Sequence, residues 1–286
     1  MPSTRPDGGI CSTNCTYEKA VLVKLGGSAM DEESVIHVLA EDISSLLKKK
    51  LMFVIVHGGG KEISREMEIA GIVPIKVGGL RVTDGATMDI IERVMGRINE
   101  RICQIFKEHG VKAQKVVGSD GLLQSKKLPP MTVHKGGVKR LVDLGMVGFV
   151  EKVHPEKLEA LMGSGVIPIV SPIGRTAEGQ VLNVNADTAA GSIAGACAEE
   201  FILLTDVEGV IVPGTDGPRI ADKLTLHQIN KLIDARAIRE GMLPKLEACV
   251  SAIENGVKST RIVYGLGEHP LLDAMSPEPV GTQIVP

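Results

Sequence analysis

The sequence predicts an α/β fold with an open, mostly parallel central sheet sandwiched by helices and with β-hairpins on its rim. Short runs of Val, Ile and Leu alternate with helical patterns along the chain, as in buried parallel sheets. Aromatic residues make up only 2% of the 286 residues and tryptophan is absent, so the core must be aliphatic. Paired glycines follow the first two apolar runs, as they do where a strand turns into a helix.

Strands and helices are expected to follow one another in order. Short apolar runs predict buried strands at Ala20–Lys24, Leu51–Val56, Val166–Val170, Phe201–Thr205 and, as the last strand, Arg261–Tyr264. Apolar residues spaced three or four apart, with their start and stop signals, predict helices at Glu33–Lys49, Lys61–Ala70, Asp84–Gly110, Thr188–Ala198, Thr225–Ile238 and Pro244–Asn255, and a short helix that Pro155 opens and that ends at Gly163 or Gly165. In the longest of these, Asp84 is the expected N-cap and Gly110 the stop signal.

Turn residues between extended stretches predict the hairpins. Asp120-Gly121 predicts a hairpin within Ala113–Lys127, and Glu178-Gly179 predicts another within Gly174–Val184. The segment Val138–Val153 continues in the same extended, glycine-punctuated manner. We expect a boundary between two lobes near residues 171–174. The chain would then consist of a flexible arm at 1–19 followed by lobes at 20–172 and 173–286.

Composition argues against several classes of protein. A net charge of −3 and the scarcity of aromatic residues disfavour nucleic-acid binding. No apolar run approaches the roughly 20 residues that span a bilayer, and residues 1–19 lack the apolar core of a secretory signal, which together predict a cytoplasmic protein with no membrane association. The five scattered cysteines indicate reduced thiols; a metal site at Cys11 and Cys15 is the alternative, although no histidine or further cysteine pair stands nearby.

Glycines follow the first two predicted strands, at Gly26-Gly27 and at Gly58-Gly59-Gly60. Backbone N–H groups can approach an anion closely at a glycine, and the N-terminus of the following helix adds positive potential. Either turn alone is as well explained by tight backbone geometry. Two such turns after buried strands favour an anion-binding site.

Two lysines occupy positions that suit the same anion. Lys24 ends the first strand at the carboxyl edge of the sheet, where ligands of such folds gather. Lys245 stands in the first turn of a predicted helix, where its charge opposes the helix dipole unless a bound anion offsets it. The alternative is that both are solvated surface side chains.

Three polar clusters complete the set of candidate residues. Asn183 and Asn185 would share one side of an extended segment, and Asp187 begins the next helix, either as an ordinary cap or as a partner for a lysine. The segment Thr205–Gly209 follows a core strand and suits either a plain turn or a nucleotide contact. Arg81 could bind a carboxylate in a bidentate manner, or lie at the surface.

Several well-known motifs are absent from the sequence. It contains neither the G-x-x-x-x-G-K-[ST] loop of P-loop enzymes nor the G-x-G-x-x-G fingerprint of dinucleotide-binding proteins. The His57–Gly60 segment is similar to the oxyanion motif of some esterases, but the G-x-S-x-G elbow is missing. Neither H-E-x-x-H nor C-x-x-C occurs, so no metal-binding residue is predicted.

Six motifs taken together resemble the amino acid kinase family, in particular its branch that phosphorylates N-acetyl-L-glutamate. In chain order they are VKLGGSAM (Val23–Met30), VIVHGGG (Val54–Gly60), GLRVTD (Gly79–Asp84), LNVNADTAAG (Leu182–Gly191), LLTDVEGV (Leu203–Val210) and GMLPK (Gly241–Lys245). The resemblance implies an amino-acid-binding and dimerisation lobe at 20–172 and an ATP-binding lobe at 173–286.

The resemblance also implies a role for each candidate residue. Lys24 and Lys245 would stabilise the transferring phosphoryl group, and Asp187 would hold both lysines. The residues that would donate backbone N–H groups to the phosphoryl are Gly27 and Gly59. Those that would bind the acceptor are Gly59, Gly60, Arg81, Asn183 and Asn185. Those that would contact the nucleotide are Thr205, Asp206, Val207, Gly209 and Lys245.

The implied reaction transfers a phosphoryl group from ATP, accompanied by Mg²⁺, to the side-chain carboxylate of N-acetyl-L-glutamate in arginine biosynthesis. The nucleophile is already ionised, so positioning and charge stabilisation suffice for catalysis. Residues 1–19 lack the periodicity of the N-terminal helix that arginine-inhibited hexameric relatives carry, which favours a homodimer without arginine feedback. Two alternatives remain: a sister kinase acting on an aminoadipate derivative, and a non-catalytic homologue that senses an amino acid.

Overall fold

The computed structural model describes residues 19–26, 32–135, 138–214, 217–235, 237–238 and 241–286. The expected arm, with Cys11 and Cys15, and the candidate Gly27 therefore lie outside the described residues. Of the cysteines within them, Cys103, Cys197 and Cys249 form no disulfide with one another. Among these residues no helix combines the length and the apolar character that crossing a bilayer requires.

Strands and helices alternate through most of the chain. The strands are β1 (Lys19–Leu25), β2 (Leu51–His57), β3 (Lys76–Val77), β4 (Leu80–Arg81), β5 (Ala113–Val117), β6 (Leu123–Lys127), β7 (Met131–Lys135), β8 (Val138–Val142), β9 (Val147–Val153), β10 (Ile167–Ser171), β11 (Ile173–Arg175), β12 (Val181–Val184), β13 (Glu200–Thr205), β14 (Ile211–Val212), β15 (Arg219–Ile220), β16 (Lys223–Thr225), β17 (Ser259–Tyr264) and β18 (Thr282–Val285). The helices are α1 (Glu33–Leu47), α2 (Gly60–Ile69), α3 (Gly85–Glu108), α4 (Glu156–Gly163), α5 (Ala186–Cys197), α6 (Leu226–Asp234), α7 (Leu243–Glu254) and α8 (Pro270–Ala274).

The central sheet has eight strands in the order β16-β18-β17-β13-β1-β2-β10-β5. All neighbours in it are parallel except β17 and β18, which confirms the mostly parallel sheet that the sequence predicts. The four strands on one side of the β1–β13 boundary come from residues before 172, and the four on the other side come from residues after 199. Both halves of the chain therefore meet at the middle of one sheet.

Helices cover both faces of this sheet, as predicted. Along β1, Val21, Val23 and Leu25 join the core cluster that contains residues of α1 and α3. Ala20 and Leu22 join the opposite cluster, which contains residues of α4, α5 and α7. Because successive side chains of a strand point to opposite faces, Lys24 lies on the second face, beneath α5 and α7.

Hairpins surround the sheet. The pairs β3–β4, β7–β8, β11–β12 and β14–β15 are antiparallel. The β11–β12 hairpin confirms the turn predicted at Glu178-Gly179. Its strands pair with β6 and β9, and the four close into a small barrel. Residues 173–184 are thereby joined to strands from the N-terminal side of the expected lobe boundary.

Two expectations from the sequence are wrong. The hairpin expected within Ala113–Lys127 does not form, because β5 pairs with β10 at the edge of the central sheet while β6 pairs with β9. A turn at Gly118, whose N–H donates to Ser171 O, separates the two strands. The strand β17 is not the last one, since β18 follows a proline-containing segment and pairs with both β17 and β16.

The boundaries of the helices follow local capping chemistry. The Asp84 carboxylate accepts a hydrogen bond from Thr87 N at 2.8 Å, which confirms the predicted N-cap of α3. Helix α5 begins two residues earlier than the predicted Thr188, because the side chain of Asn185 accepts from Asp187 N and Thr188 N. Asp187 consequently lies in the first turn of α5.

Close packing of α5 on α7 brings their N-termini together. A β-carbon built at Gly191 would lie 2.6 Å from the backbone oxygen of Ala248. Gly191 lies one helical turn after Asp187, and Ala248 lies about one turn after Lys245. The absence of a side chain at Gly191 therefore allows the approach that places Lys245 beside Asp187.

Gly191→Ala is expected to lower the free energy of unfolding by about 1–3 kcal/mol, because the added methyl group forces α5 and α7 apart. Urea unfolding with an unchanged m-value would measure it. The matched control is Gly96→Ala in α3, where a β-carbon meets no atom within 4 Å. That variant should match the parent or gain up to about 1 kcal/mol in helix propensity. Equal stability of the two variants would contradict the packing interpretation.

Candidate active site

A polar cleft of about 500 Å³ lies where the carboxyl ends of β1 and β2 meet the N-termini of α2, α5 and α7. Ligands of parallel α/β sheets bind at such an edge. Candidate residues from the sequence that line it are Lys24, Gly59, Gly60, Arg81, Asn183, Asn185, Asp187 and Lys245. The structure thus brings together residues from five of the six motifs.

The centre of this cleft is a lysine–aspartate–lysine trio formed by Lys24, Asp187 and Lys245. The Lys24 Nζ lies 2.5 Å from Asp187 Oδ1, and the Lys245 Nζ lies 3.3 Å from Asp187 Oδ2. The side chains of Lys24 and Asp187 are only 6% and 11% exposed. The trio contains two positive charges and one negative charge, so it carries a net positive charge within the cleft.

Electrostatics favour the ionised form of Asp187. Burial alone would raise the pKa of this carboxyl group, but the charges and hydrogen bonds of Lys24 and Lys245 outweigh burial and hold the pKa below its usual value. The position of Asp187 in the first turn of α5 adds the favourable end of a helix dipole. Lys245 lies in the first turn of α7, where its positive charge opposes the helix dipole. The Asp187 carboxylate offsets this unfavourable interaction.

Gly26 provides space for the ammonium group of Lys24. A β-carbon built at Gly26 would lie 1.8 Å from the Lys24 Nζ, so the lysine side chain folds back over the glycine that follows the strand. The first glycine turn thus has a role that the sequence did not predict: it accommodates the cation itself.

Arg81 is buried beside this trio, in the wall of the same cleft. Its Nη2 donates to Gly60 O and to Ser64 Oγ, both at 2.8 Å, and its Nη1 contacts Met67 Sδ at 3.0 Å. All three are neutral acceptors, and the guanidinium pairs with no carboxylate within the described residues. Burial lowers its pKa, yet arginine stays charged at neutral pH. Arg81 therefore presents an uncompensated positive charge to a ligand.

The two candidate asparagines differ in their bonding. Asn183 lies in β12, and its Nδ2 donates to Thr83 Oγ1 at 3.1 Å, whose hydroxyl donates in turn to Arg81 O. Asn185 caps α5 through its side-chain oxygen, which leaves its amide nitrogen for any contact with a ligand. Both line the cleft.

A second cleft of about 520 Å³ opens on the other side of Lys245. Four residues of the expected nucleotide segment line it, namely Asp206, Val207, Glu208 and Gly209, together with apolar side chains of Ile211, Ile238 and Met242. Thr205 does not line it: this residue is buried, and its hydroxyl contacts Asp206 Oδ1 at 3.0 Å. Lys245 lines both clefts, so it lies between two binding spaces.

Some residues that shape the site were not among the candidates. Ser64, Met67 and Thr83 orient Arg81, and no signal in the sequence marks them. His57 and Asn99 form a buried pair behind the second glycine turn. The one sequence signal for this pair is that Asn99, a polar residue, lies on the apolar stripe of α3. Within the described ranges, no group of three potential metal-ligating side chains is assembled.

Solved structures with the same fold are found by comparison of the backbone. An N-acetylglutamate synthase from Neisseria gonorrhoeae superposes with a TM-score of 0.78 at 23% identity; the match covers 94% of this chain and 59% of that longer protein. Carbamate kinase from Giardia lamblia, bound to AMP-PNP, superposes with a TM-score of 0.68 at 17% identity and covers 93% and 98% of the two chains. At these identities the likeness establishes the fold alone.

Some proteins are more similar to this chain in sequence than these solved structures are. The acetylglutamate kinase of Methanoculleus marisnigri is 41% identical over 272 residues, which is 94% of this chain and 93% of that protein. The acetylglutamate kinase of Methanocaldococcus jannaschii is 42% identical over 273 residues, which is 94% of this chain and 91% of that protein. A sequence profile of the amino acid kinase family matches residues 19–264. The profile match and the identity to these relatives show that this chain, with its mostly parallel sheet and its lysine–aspartate–lysine trio, belongs to the amino acid kinase family.

Proposed function

We propose that this protein catalyses the ATP-dependent phosphorylation of the side-chain carboxylate of N-acetyl-L-glutamate. The observation that carries the proposal is the lysine–aspartate–lysine trio at the centre of the first cleft, in which Lys245 also lines the second cleft. The names of the relatives at about 40% identity support this acceptor. Arginine biosynthesis is the corresponding pathway.

The cleft that contains Arg81 is the proposed acceptor site. N-acetylglutamate has two carboxylates, of which one is the nucleophile and the other needs a cationic partner. Arg81 offers its charge there, while Asn183 and the turn at Gly59-Gly60 offer polar groups for the rest of the molecule. Asn185 is proposed to contribute its amide nitrogen.

The cleft around Asp206, Val207 and Gly209 is the proposed nucleotide site. Its apolar side chains suit a flat base, and Lys245 at its inner end suits the terminal phosphates. Asp206 and Glu208 would offer carboxylate oxygens, the donors that Mg²⁺ prefers, and the ATP phosphates would be its main ligands. Bound Mg²⁺ would neutralise charge on those phosphates. Thr205 is proposed to act indirectly, by orienting Asp206.

The two clefts support the proposed division into lobes. Every residue that lines the nucleotide cleft falls within 206–245, in the proposed ATP-binding lobe at 173–286. The acceptor cleft is lined mostly by residues of the proposed lobe at 20–172, with the β11–β12 hairpin and the start of α5 adding Asn183 and Asp187.

In the proposed reaction, a carboxylate oxygen of the acceptor attacks the γ-phosphorus while the bond from that phosphorus to the β–γ bridging oxygen breaks. The products are ADP and an acyl phosphate, N-acetylglutamyl 5-phosphate. No proton needs to be removed from the nucleophile. Lys24 and Lys245 act on the charge of the transferring group, Asp187 fixes both ammonium groups, and Gly27 and Gly59 are proposed to donate N–H groups to it.

A homodimer is the proposed assembly. Strand β5 is the outermost strand of the central sheet and pairs only with β10 among the described strands. Such an open edge is suited to pairing with a second copy. Light scattering coupled to gel filtration would distinguish a dimer of about twice 30.3 kDa from a monomer or hexamer.

The proposed reaction is tested by trapping the product. Purified protein with ATP, Mg²⁺ and N-acetylglutamate should yield a hydroxamate when hydroxylamine is present, together with stoichiometric ADP. The same assay with N-acetyl-aminoadipate tests the sister kinase, and addition of arginine tests for feedback inhibition. A preference for the aminoadipate derivative would change the proposed substrate. Absence of both products would favour the non-catalytic homologue.

Arg81→Ala is expected to raise the KM for N-acetylglutamate by roughly 10–150-fold, because a charge-assisted hydrogen bond contributes about 1.5–3 kcal/mol. The KM for ATP should stay within about twofold of the parent, since Arg81 does not line the nucleotide cleft. The control is Arg97→Ala, which removes an exposed arginine that pairs with Glu66 at 2.9 Å. Equal effects on the two KM values would argue against a role in acceptor binding.

A further inference from the structure

A buried polar pair lies directly behind the second glycine turn. His57 is the last residue of β2, and its side chain is fully buried. The alternation along β2 puts it on the same face as Phe53 and Ile55, which belong to the core cluster containing α3. On that face it meets Asn99 of α3, which is also fully buried. Neither residue lines either cleft.

The hydrogen bonds of this pair determine where the proton of His57 resides. The Nδ1 lies 2.8 Å from Gly58 O, and the Nε2 lies 3.0 Å from Asn99 Oδ1. A neutral imidazole carries one N–H and cannot donate to both oxygens. The Asn99 Nδ2 has no hydrogen-bond partner in this arrangement. If the Asn99 amide is turned end for end, Nδ2 donates to Nε2 and the Nδ1–H donates to Gly58 O.

The surroundings of His57 favour the neutral ring. Burial lowers its pKa, and it outweighs the opposing hydrogen bonds to Gly58 and Asn99. The charged groups that face it are Glu62 of α2 and Arg101 of α3, and their side chains pair with one another at 2.5 Å. Their effects on the imidazole are of opposite sign. With the Asn99 amide turned so that its Nδ2 faces Nε2, the pair consists of a neutral histidine with its proton on Nδ1 and an amide that supports Nε2.

The geometry of the peptide group links this pair to the reacting centre. Gly58 O and Gly59 N–H belong to one peptide unit, and in a trans peptide they point in opposite directions. Anchoring the oxygen on the buried imidazole therefore turns the Gly59 N–H away from His57. Gly58 and Gly59 both line the acceptor cleft, and the Gly59 N–H donates to no acceptor among the described residues. Without the anchor, glycines on both sides would let this peptide rotate.

We propose that His57, supported by Asn99, is a positioning residue for phosphoryl transfer that holds the Gly58–Gly59 peptide with its N–H directed at the transferring group. This inference rests on the proposed kinase reaction. It predicts a loss in kcat rather than in ATP binding, because neither residue lines the nucleotide cleft. A purely structural role would give no such separation.

Three substitutions of His57 test the donor at Nδ1. Asparagine can place its amide nitrogen where Nδ1 lies, glutamine reaches towards Nε2, and leucine removes both. We expect H57L and H57Q to lose about 10²-fold in kcat, the scale of one lost oxyanion donor, with the KM for ATP within roughly threefold of the parent. H57N should stay within about fivefold of the parent. An H57L enzyme with the kcat of the parent, or an H57N enzyme as slow as H57L, would overturn the proposal.

A second measurement on the unmodified protein does not depend on the folding of any variant. Nitrogen-15 NMR of the histidine-labelled protein reports the tautomer of each of the seven rings. His57, assigned through the backbone of residues 56–58, should be the neutral Nδ1–H tautomer from pH 7 to 9, above the ordinary histidine pKa of about 6.5. Protonation or an Nε2–H tautomer in this range would overturn the assignment. An unmodified protein that forms no acyl phosphate would overturn the proposed reaction instead, so the two failures are distinguishable.

Discussion

Replacing Lys245 with alanine is expected to lower kcat by about 10²–10³-fold while leaving N-acetylglutamate binding nearly unchanged. Lys245 lines both clefts, and its ammonium lies 3.3 Å from Asp187 Oδ2, so its charge is directed at the space between donor and acceptor. A group that interacts more strongly with the transition state than with the bound acceptor changes kcat. Turnover follows from ADP release, and acceptor affinity from calorimetry.

The matched control for this variant is Lys258→Ala. Lys258 is an exposed lysine that pairs with Glu199 at 2.6 Å, and such surface pairs contribute little. Its removal should leave both kcat and acceptor affinity at the values of the parent. If the Lys245 variant kept turnover within about threefold of the parent, the ammonium would not act on the phosphoryl group. A loss of acceptor binding equal to the loss of turnover would point to a misfolded cleft.

Asp187→Asn is expected to remove most turnover for a different reason, because both lysines lose the carboxylate that fixes them. Asparagine preserves the shape of the side chain and removes its charge. We expect a loss in kcat of at least about 10²-fold, on the scale of a misplaced charge-stabilising group, while ATP binds as tightly or more tightly at the uncompensated cations. The free energy of unfolding should fall by about 3–5 kcal/mol, the usual cost of breaking one side of a buried ion pair.

The pH dependence distinguishes loss of this charge from a packing defect. The pKa of Asp187 is lowered in the folded protein, so its stabilisation is present above the unfolded value of about 3.9 and is lost as pH falls through the folded value. The difference in unfolding free energy between the parent and the Asp187 variant should be flat from about pH 5 to 8 and shrink below roughly pH 4. Asp89→Asn, at an exposed aspartate of α3, is the control and should change little. A pH-independent difference would indicate altered packing instead.

Local patterns predicted the elements but not all of their partners. The apolar runs of β1, β2, β10 and β13 were long enough to mark buried strands directly. Strand β5 was misassigned because the Asp120-Gly121 turn signal is local, whereas strand pairing depends on which edge of the sheet is open. Strand β18 was missed because it is only four residues long and follows Pro279, and its position depends on hydrogen bonds to β17.

The site was predicted in part by the same patterns. Lys24 and Lys245 were identified because each occupies an unusual position, at a strand end and in a first helical turn. Thr205 was included through its place in a motif, yet it is buried beside the nucleotide cleft rather than lining it. His57 and Asn99 were not recognised as a pair, because 42 residues separate them and each alone suits an ordinary core position.

The sequence by itself determined the α/β class, the order of the elements and the family, because periodicity, glycine turns and six ordered motifs are properties of the chain alone. The resemblance implied that Asp187 holds both lysines, but only the tertiary structure gave the contacts that join Lys24, Asp187 and Lys245 into one charged group and placed Lys245 between two clefts. The physical reason is that charge pairing in a buried site depends on distances of about 3 Å, which no local pattern specifies. Those distances are produced by the parallel alignment of β1 with its neighbours and by the close approach of α5 to α7 at Gly191.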